Sequence, residues 1–244
     1  GSGDYSRRMR AFIVRSLPEA NNQQMGGSMS ARSRLAVVTI LAVTWIGGGG
    51  ASGAEAAVKV DSLQQDIGTA VYAVHRYWSD HWSDYFPGRY SPPRVLGSYD
   101  GRGPNRPACS GHKMLPYNAS YCVTQHFIAW DINLMRMSYT YGDGLVYQVI
   151  SHEWSHAVQN RMPFGYLAAQ VELQADCMGG AALAGASRDG TLTWEQGDNR
   201  EIAATLRGLS GDTPWTNPRD HGSATERINA FDTGVRYGVR ACLA

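Results

Sequence analysis

The feature that most limits how this chain can fold is the stretch 144–161, GLVYQVISHEWSHAVQNR, followed shortly by VELQADCMGGAALAG at 171–185. In the first stretch Val146, Val149, Ile150, Trp154 and Val158 recur at three- and four-residue steps, so it reads as a helix over 145–161 with a face that must be buried. The same helix carries His152, Glu153 and His156. Two imidazoles and a carboxylate are costly in an interior unless they find partners there. The second stretch offers such partners: Glu172 and Asp176 lie one helical turn apart, ahead of a run of small residues that lets one helix approach another closely.

The spacing has a definite chemical meaning. Residues four apart on a helix stand one above the other, about 5–6 Å apart at Cβ, so His152 and His156 can point at one ion. Zinc takes imidazole nitrogen at about 2.0–2.1 Å, and a catalytic zinc keeps three protein ligands and an open position for water. Glu172 completes such a set, and Asp176 suits the N–H on the far side of a ligand histidine. Glu153, about 100° round the helix from His152, reaches the water position without being a ligand. The plain alternative is a pair of solvent-facing acids on one helical stripe.

The rest of the chain reads as one α+β domain over 57–244, mostly helical with a small β region near its N-terminal end. Leu63, Ile67, Val71, Val74, Trp78 and Trp82 line one face of a helix over 60–82, with Asp61 as N-cap and Gln64 three residues on. His75 and His81 lie off that face and read as solvent-facing. Residues 84–125 are rich in Pro, Gly, Tyr and Ser and read as short strands and turns; a strand over 124–134 follows, placed to serve as an edge for an extended peptide. Phe127 or Trp130 would then line a side-chain pocket, or else belong to the core. Further helices are expected over 166–187, from Thr193 (boxed by Gln196) to Arg207, and from Ser223 (boxed by Glu226) to Tyr237.

A formal net charge of +1 gives no electrostatic case for nucleic acid. The charge is uneven, with six arginines in residues 1–34 just ahead of the apolar run LAVVTILAVTWI at 35–46. From Met29 the order is basic segment, apolar core, then small residues ending Ala54-Glu55-Ala56, the layout of a secretory signal cleaved after Ala56. Counting on to Ala54 gives an uncharged stretch long enough for a marginal membrane anchor, so 29–56 is a signal peptide or an anchor. Residues 1–28 read as a tag or upstream extension. Four cysteines in a chain that looks exported favour two disulfides. Of the three pairings, Cys109–Cys122 with Cys177–Cys242 is favoured because the first closes a short loop; cysteines on zinc are the alternative, although no C-x-x-C spacing is present. Asn118-Ala119-Ser120 also matches a glycosylation sequon.

HEWSHAVQ, then ELQADC, then HGSATERINAF at 221–231 together resemble the bacterial neutral zinc metallopeptidases, which share the E-x-x-x-D arrangement of gluzincins such as thermolysin. Cys109-Ser-Gly, Tyr121-Cys122 and FIAWDINLM at 127–135, with Asp131 after an aromatic, resemble that family as well, so the likeness spans roughly residues 75–240. One departure is Ser155, where the family commonly has glycine. The resemblance implies a zincin-like domain in which the H-E-x-x-H helix packs on the E-x-x-x-D helix. It implies one zinc ion on His152, His156 and Glu172, with Glu153 as general base and Asp176 behind a ligand. By analogy with thermolysin-like enzymes, His221 is the expected oxyanion donor, with Tyr147 and Tyr166 as lesser candidates.

The function to be expected is therefore a zinc endopeptidase acting on exported or envelope proteins. The competing expectation is a catalytically silent, metallopeptidase-like subunit that binds a partner in a membrane-associated assembly. A cysteine hydrolase using Cys177 with His221 is the weakest reading, since Cys177 lies mid-helix in an apolar run.

Overall fold

The computed structural model describes residues 62–139, 142–210 and 221–244. The expected tag and the signal or anchor segment, with Asp61, lie outside the described residues. Among those described, no helix is long and apolar enough to cross a membrane.

Helix α1 (Leu63–Tyr85) begins two residues beyond the expected Asp61 cap. Ser62 caps it instead: its Oγ accepts from Gln65 N, and the Gln65 side chain accepts from Ser62 N. The apolar face is as read, with Ile67, Val74, Trp78 and Trp82 buried. His75 departs from expectation, whereas His81 keeps to the surface. The His75 ring lies against Tyr90 and Trp154, and His81 bridges Asp84 and Asp189. Indole and phenol rings nearby offer apolar contact that a helical-period argument does not see.

The β region comprises β1 (Arg94–Tyr99), β2 (Ala108–Cys109), β3 (His112–Lys113), β4 (Ala119–Cys122) and β5 (Phe127–Asp131). β2 and β3 form a small hairpin, whereas the main sheet has the order β1-β5-β4, with β1 parallel and β4 antiparallel to β5. The strand expected over 124–134 is therefore shorter and central, not an edge. Alternation along it feeds two cores: Ile128 and Trp130 join the helical core, while Phe127 and Ala129 pack with Tyr99, Met114 and Cys122. Both proposed pocket residues, Phe127 and Trp130, are core. Asp131 ends the strand because its wholly buried carboxylate accepts from Gly101 N, Tyr117 N and Asn133 N. Helix α2 (Ile132–Tyr139), which the reading missed, starts there.

Helix α3 (Gly144–Gln159) and helix α4 (Val171–Arg188) pack directly on each other, with α1 across both. A Cβ on Gly179 would come within 3.0 Å of Ser151 Oγ on α3. Helix α5 (Asp198–Gly208) starts later than expected: Gly197 sits at φ 127°, outside helical space, so the Thr193–Gln196 box does not open it. Helix α6 (Ala224–Tyr237) starts as read, with the Ser223–Glu226 capping box formed in both directions. It lies so close to α4 that a Cβ on Gly234 would collide with the Cys177 carbonyl. The architecture is α+β, mostly helical, with disulfides Cys109–Cys122 and Cys177–Cys242, the pairing favoured from loop length. Neither pair is left for zinc, and Cys177 has no thiol to act as a nucleophile.

Candidate functional site

The site is assembled on α3 and α4. His152 is 5% exposed, and its Nδ1 lies 2.8 Å from Asp176 Oδ1. A carboxylate only accepts, so Nδ1–H is the donor and Nε2 faces the cleft. His156 is built the same way: Nδ1 lies 2.8 Å from Gln159 Oε1, and Gln159 is oriented by donating to Val171 O and Gln174 Oε1. The two Nε2 atoms stand 3.1 Å apart. Glu172, in the first turn of α4, brings Oε2 to 3.2 Å from His152 Nε2 and Oε1 to 3.5 Å from His156 Nε2.

These separations test whether zinc fits. Donors about 2.0–2.1 Å from a tetrahedral ion lie roughly 3.3 Å from one another. The 3.1 Å between the two nitrogens and the 3.2 Å from His152 Nε2 to Glu172 Oε2 lie close to that length, and the 3.5 Å approach to His156 is made by the other carboxylate oxygen. Two imidazole nitrogens and a carboxylate at this range could hold a cation, as could His152, Glu172 and His221, and such donor sets fit zinc.

The charges of the cluster are coupled to one another. Burial would push the His152 imidazolium down, but Asp176 overrides it and holds the ring up at about 10. Burial would raise Glu172, yet His152, His156 and His221 together hold it far below the usual carboxylate range. Asp176, wholly buried, is likewise kept ionised against burial by Arg227 and His152.

Arg227 on α6 is the residue that the sequence reading missed. It is 2% exposed and grips Asp176 through two hydrogen bonds, Nε to Oδ2 at 2.7 Å and Nη2 to Oδ1 at 2.8 Å. Its Nη1 donates to Leu209 O. A signal was available, since Arg227 falls on the buried stripe of α6 with Phe231 and Gly234, where a charge needs a partner. Gln148, one turn before His152, also donates to Asp176 Oδ1 at 3.2 Å.

Glu153 is half-buried and lines a cleft with His152, and its Oε2 accepts from Tyr121 N on β4 at 2.7 Å. Ser155 is fully buried and donates to Ser151 O, so serine takes the expected glycine position within the helix. His221 stands in the cleft with Nδ1 2.8 Å from Glu172 Oε2. Tyr147 and Tyr166 are not brought to the site: Tyr147 reaches Asp66, and the Tyr166 ring packs near Phe86.

Two hollows flank the cluster. A cleft of about 100 Å³ is lined by Asn118, Ala119, His152, Glu153, His221 and Arg227, among others. On the other side an open groove of about 410 Å³ is lined by Tyr121, Val123, His156, Val171 and Glu172, among others. β4 passes both, and it is the sheet's edge strand on that side. Asp131 N donates to Asn118 O, which turns the main chain of Asn118 and Ser120 toward β5, whereas Tyr121 N points to Glu153. Compared with protein-family models, with curated proteins and with solved structures, the chain matches none.

Proposed function

We propose that the chain is a zinc-dependent endopeptidase of the gluzincin type, with a zincin-like domain, acting on exported or envelope proteins. The observation that carries this reading is the convergence of His152 Nε2, His156 Nε2 and the Glu172 carboxylate at separations of 3.1 to 3.5 Å, with Glu153 lining the cleft beside His152. Zinc, when bound, supplies Lewis acidity to a water and to the scissile carbonyl. His152, His156 and Glu172 hold the ion. Tyr121 N–H fixes one oxygen of Glu153, and Oε1 takes the proton from the water and passes it to the leaving amine. Edge strand β4, rather than β5, aligns an extended peptide across the two hollows. Two disulfides support an oxidising compartment, reached through the signal or anchor at 29–56.

The competing reading is a silent subunit that binds a partner with the same groove. The contact between Glu153 and Tyr121 favours it to the extent that the carboxylate is engaged with the fold. Glu153→Gln decides between them. The variant is expected to retain zinc and lose cleavage of a peptide library by a factor of about 10² or more. Equal cleavage by variant and wild type, or wild type without zinc, overturns the peptidase.

A further inference from the structure

Each imidazole of the cluster turns Nε2 to the cleft because something holds the far side of its ring. Asp176 does this for His152, and Gln159 does it for His156. Glu172 is the third member, and besides the two imidazoles it meets His221, whose Nδ1 lies 2.8 Å from Oε2, the oxygen that stands 3.2 Å from His152 Nε2. Facing a carboxylate, Nδ1–H donates.

His221 and Arg227 come from one short segment at the start of α6, and each ends on a different arm of the site. Arg227 grips Asp176 behind His152, while His221 grips Glu172 directly. The segment is itself rigid. Ser223 and Glu226 close a capping box, and Gly222 turns the chain at φ 78° close against Leu173, where a Cβ would come within 3.0 Å of Leu173 Cδ2.

We propose that the segment 221–227 is a two-point clamp on the metal site, and that His221 is a positioning residue that aims the Glu172 carboxylate at the two imidazole nitrogens. This role concerns Glu172 and is separate from the expected oxyanion role. The clamp rests on the metal site of the peptidase reading and not on cleavage. The side chain is 41% exposed, so its removal does not open the core.

The test measures zinc affinity by chelator competition on the full chain for wild type, His221→Ala and His221→Asn, with visible spectra of the Co2+ forms. His221→Ala is expected to bind zinc about 10- to 100-fold more weakly. His221→Asn, whose amide N–H can reach Glu172, recovers most of that loss. The Co2+ spectra of all three report the same ligand set, and the metal-free variants melt with wild type. Unchanged affinity in His221→Ala overturns the clamp. So does no rescue by Asn, a Co2+ spectrum showing a lost nitrogen ligand, or a collapsed metal-free melt. Zinc that depends on His221 in a chain that cleaves nothing ends the peptidase reading and leaves the clamp standing. Cleavage with zinc indifferent to His221 does the reverse.

Discussion

Asp176 is the residue on which most of the site depends. It is a carboxylate with no solvent exposure that accepts from His152, from Gln148 and twice from Arg227. A buried ion pair is no gain over apolar packing, but breaking one strands a charge, at about 3–5 kcal/mol. Arg227→Ala is therefore expected to lose about that much stability in denaturant unfolding, and to weaken zinc binding as well. Arg227→Lys recovers little of either, because an ammonium cannot reproduce two parallel N–H···O bonds. A variant as stable as wild type refutes this account of Asp176. His152, His156, Glu172 and Asp176 were legible from their spacing alone, since helical geometry converts a four-residue interval into a shared face. Arg227 was not, because its partner lies 51 residues away.

At the scale of elements, acidic groups crowd the start of α3. Asp143 is raised to about 7 by burial and by Asp66, Asp198 and Glu201 around it. A carboxyl whose folded pKa lies above its unfolded value holds a proton in the native state that the unfolded chain has released. Stability from this group thus falls as pH rises from about 4 to about 7. Asp143→Asn removes that loss: it should melt with wild type near pH 4 and above it at pH 8, by on the order of 1 kcal/mol after screening by nearby water. Equal melting at pH 8 would refute the crowding. Helices α1 and α3 were readable because their apolar periods are long, and α6 because its capping box is local, whereas α4, expected from 166, begins only at Val171. The centre of the sheet was not, since strand order depends on which edges meet. The beginning of α5 was misread because one glycine at positive φ outweighs a capping pattern.

For the whole molecule, two covalent links tie distinct elements together. Cys109–Cys122 spans 13 residues and ties β2 to β4, while Cys177–Cys242 spans 65 and ties the chain's end to α4. Loop-closure entropy gives about 3 kcal/mol for the first and about 4 kcal/mol for the second. Paired Cys→Ser changes should therefore cost more at Cys177/Cys242 than at Cys109/Cys122, as read by denaturant midpoints. The reverse order would point to native-state contacts rather than the unfolded chain. The sequence by itself determined the helix pair, the spacing of its polar groups and the capping of α6, because these depend on neighbours within one or two turns. Only the tertiary structure decided that β4 is the edge, that Arg227 closes on Asp176 and that His221 meets Glu172. Those contacts depend on how close α6 and the sheet come to α3 and α4, and that distance is set by small side chains packing across the interfaces, not by any local pattern.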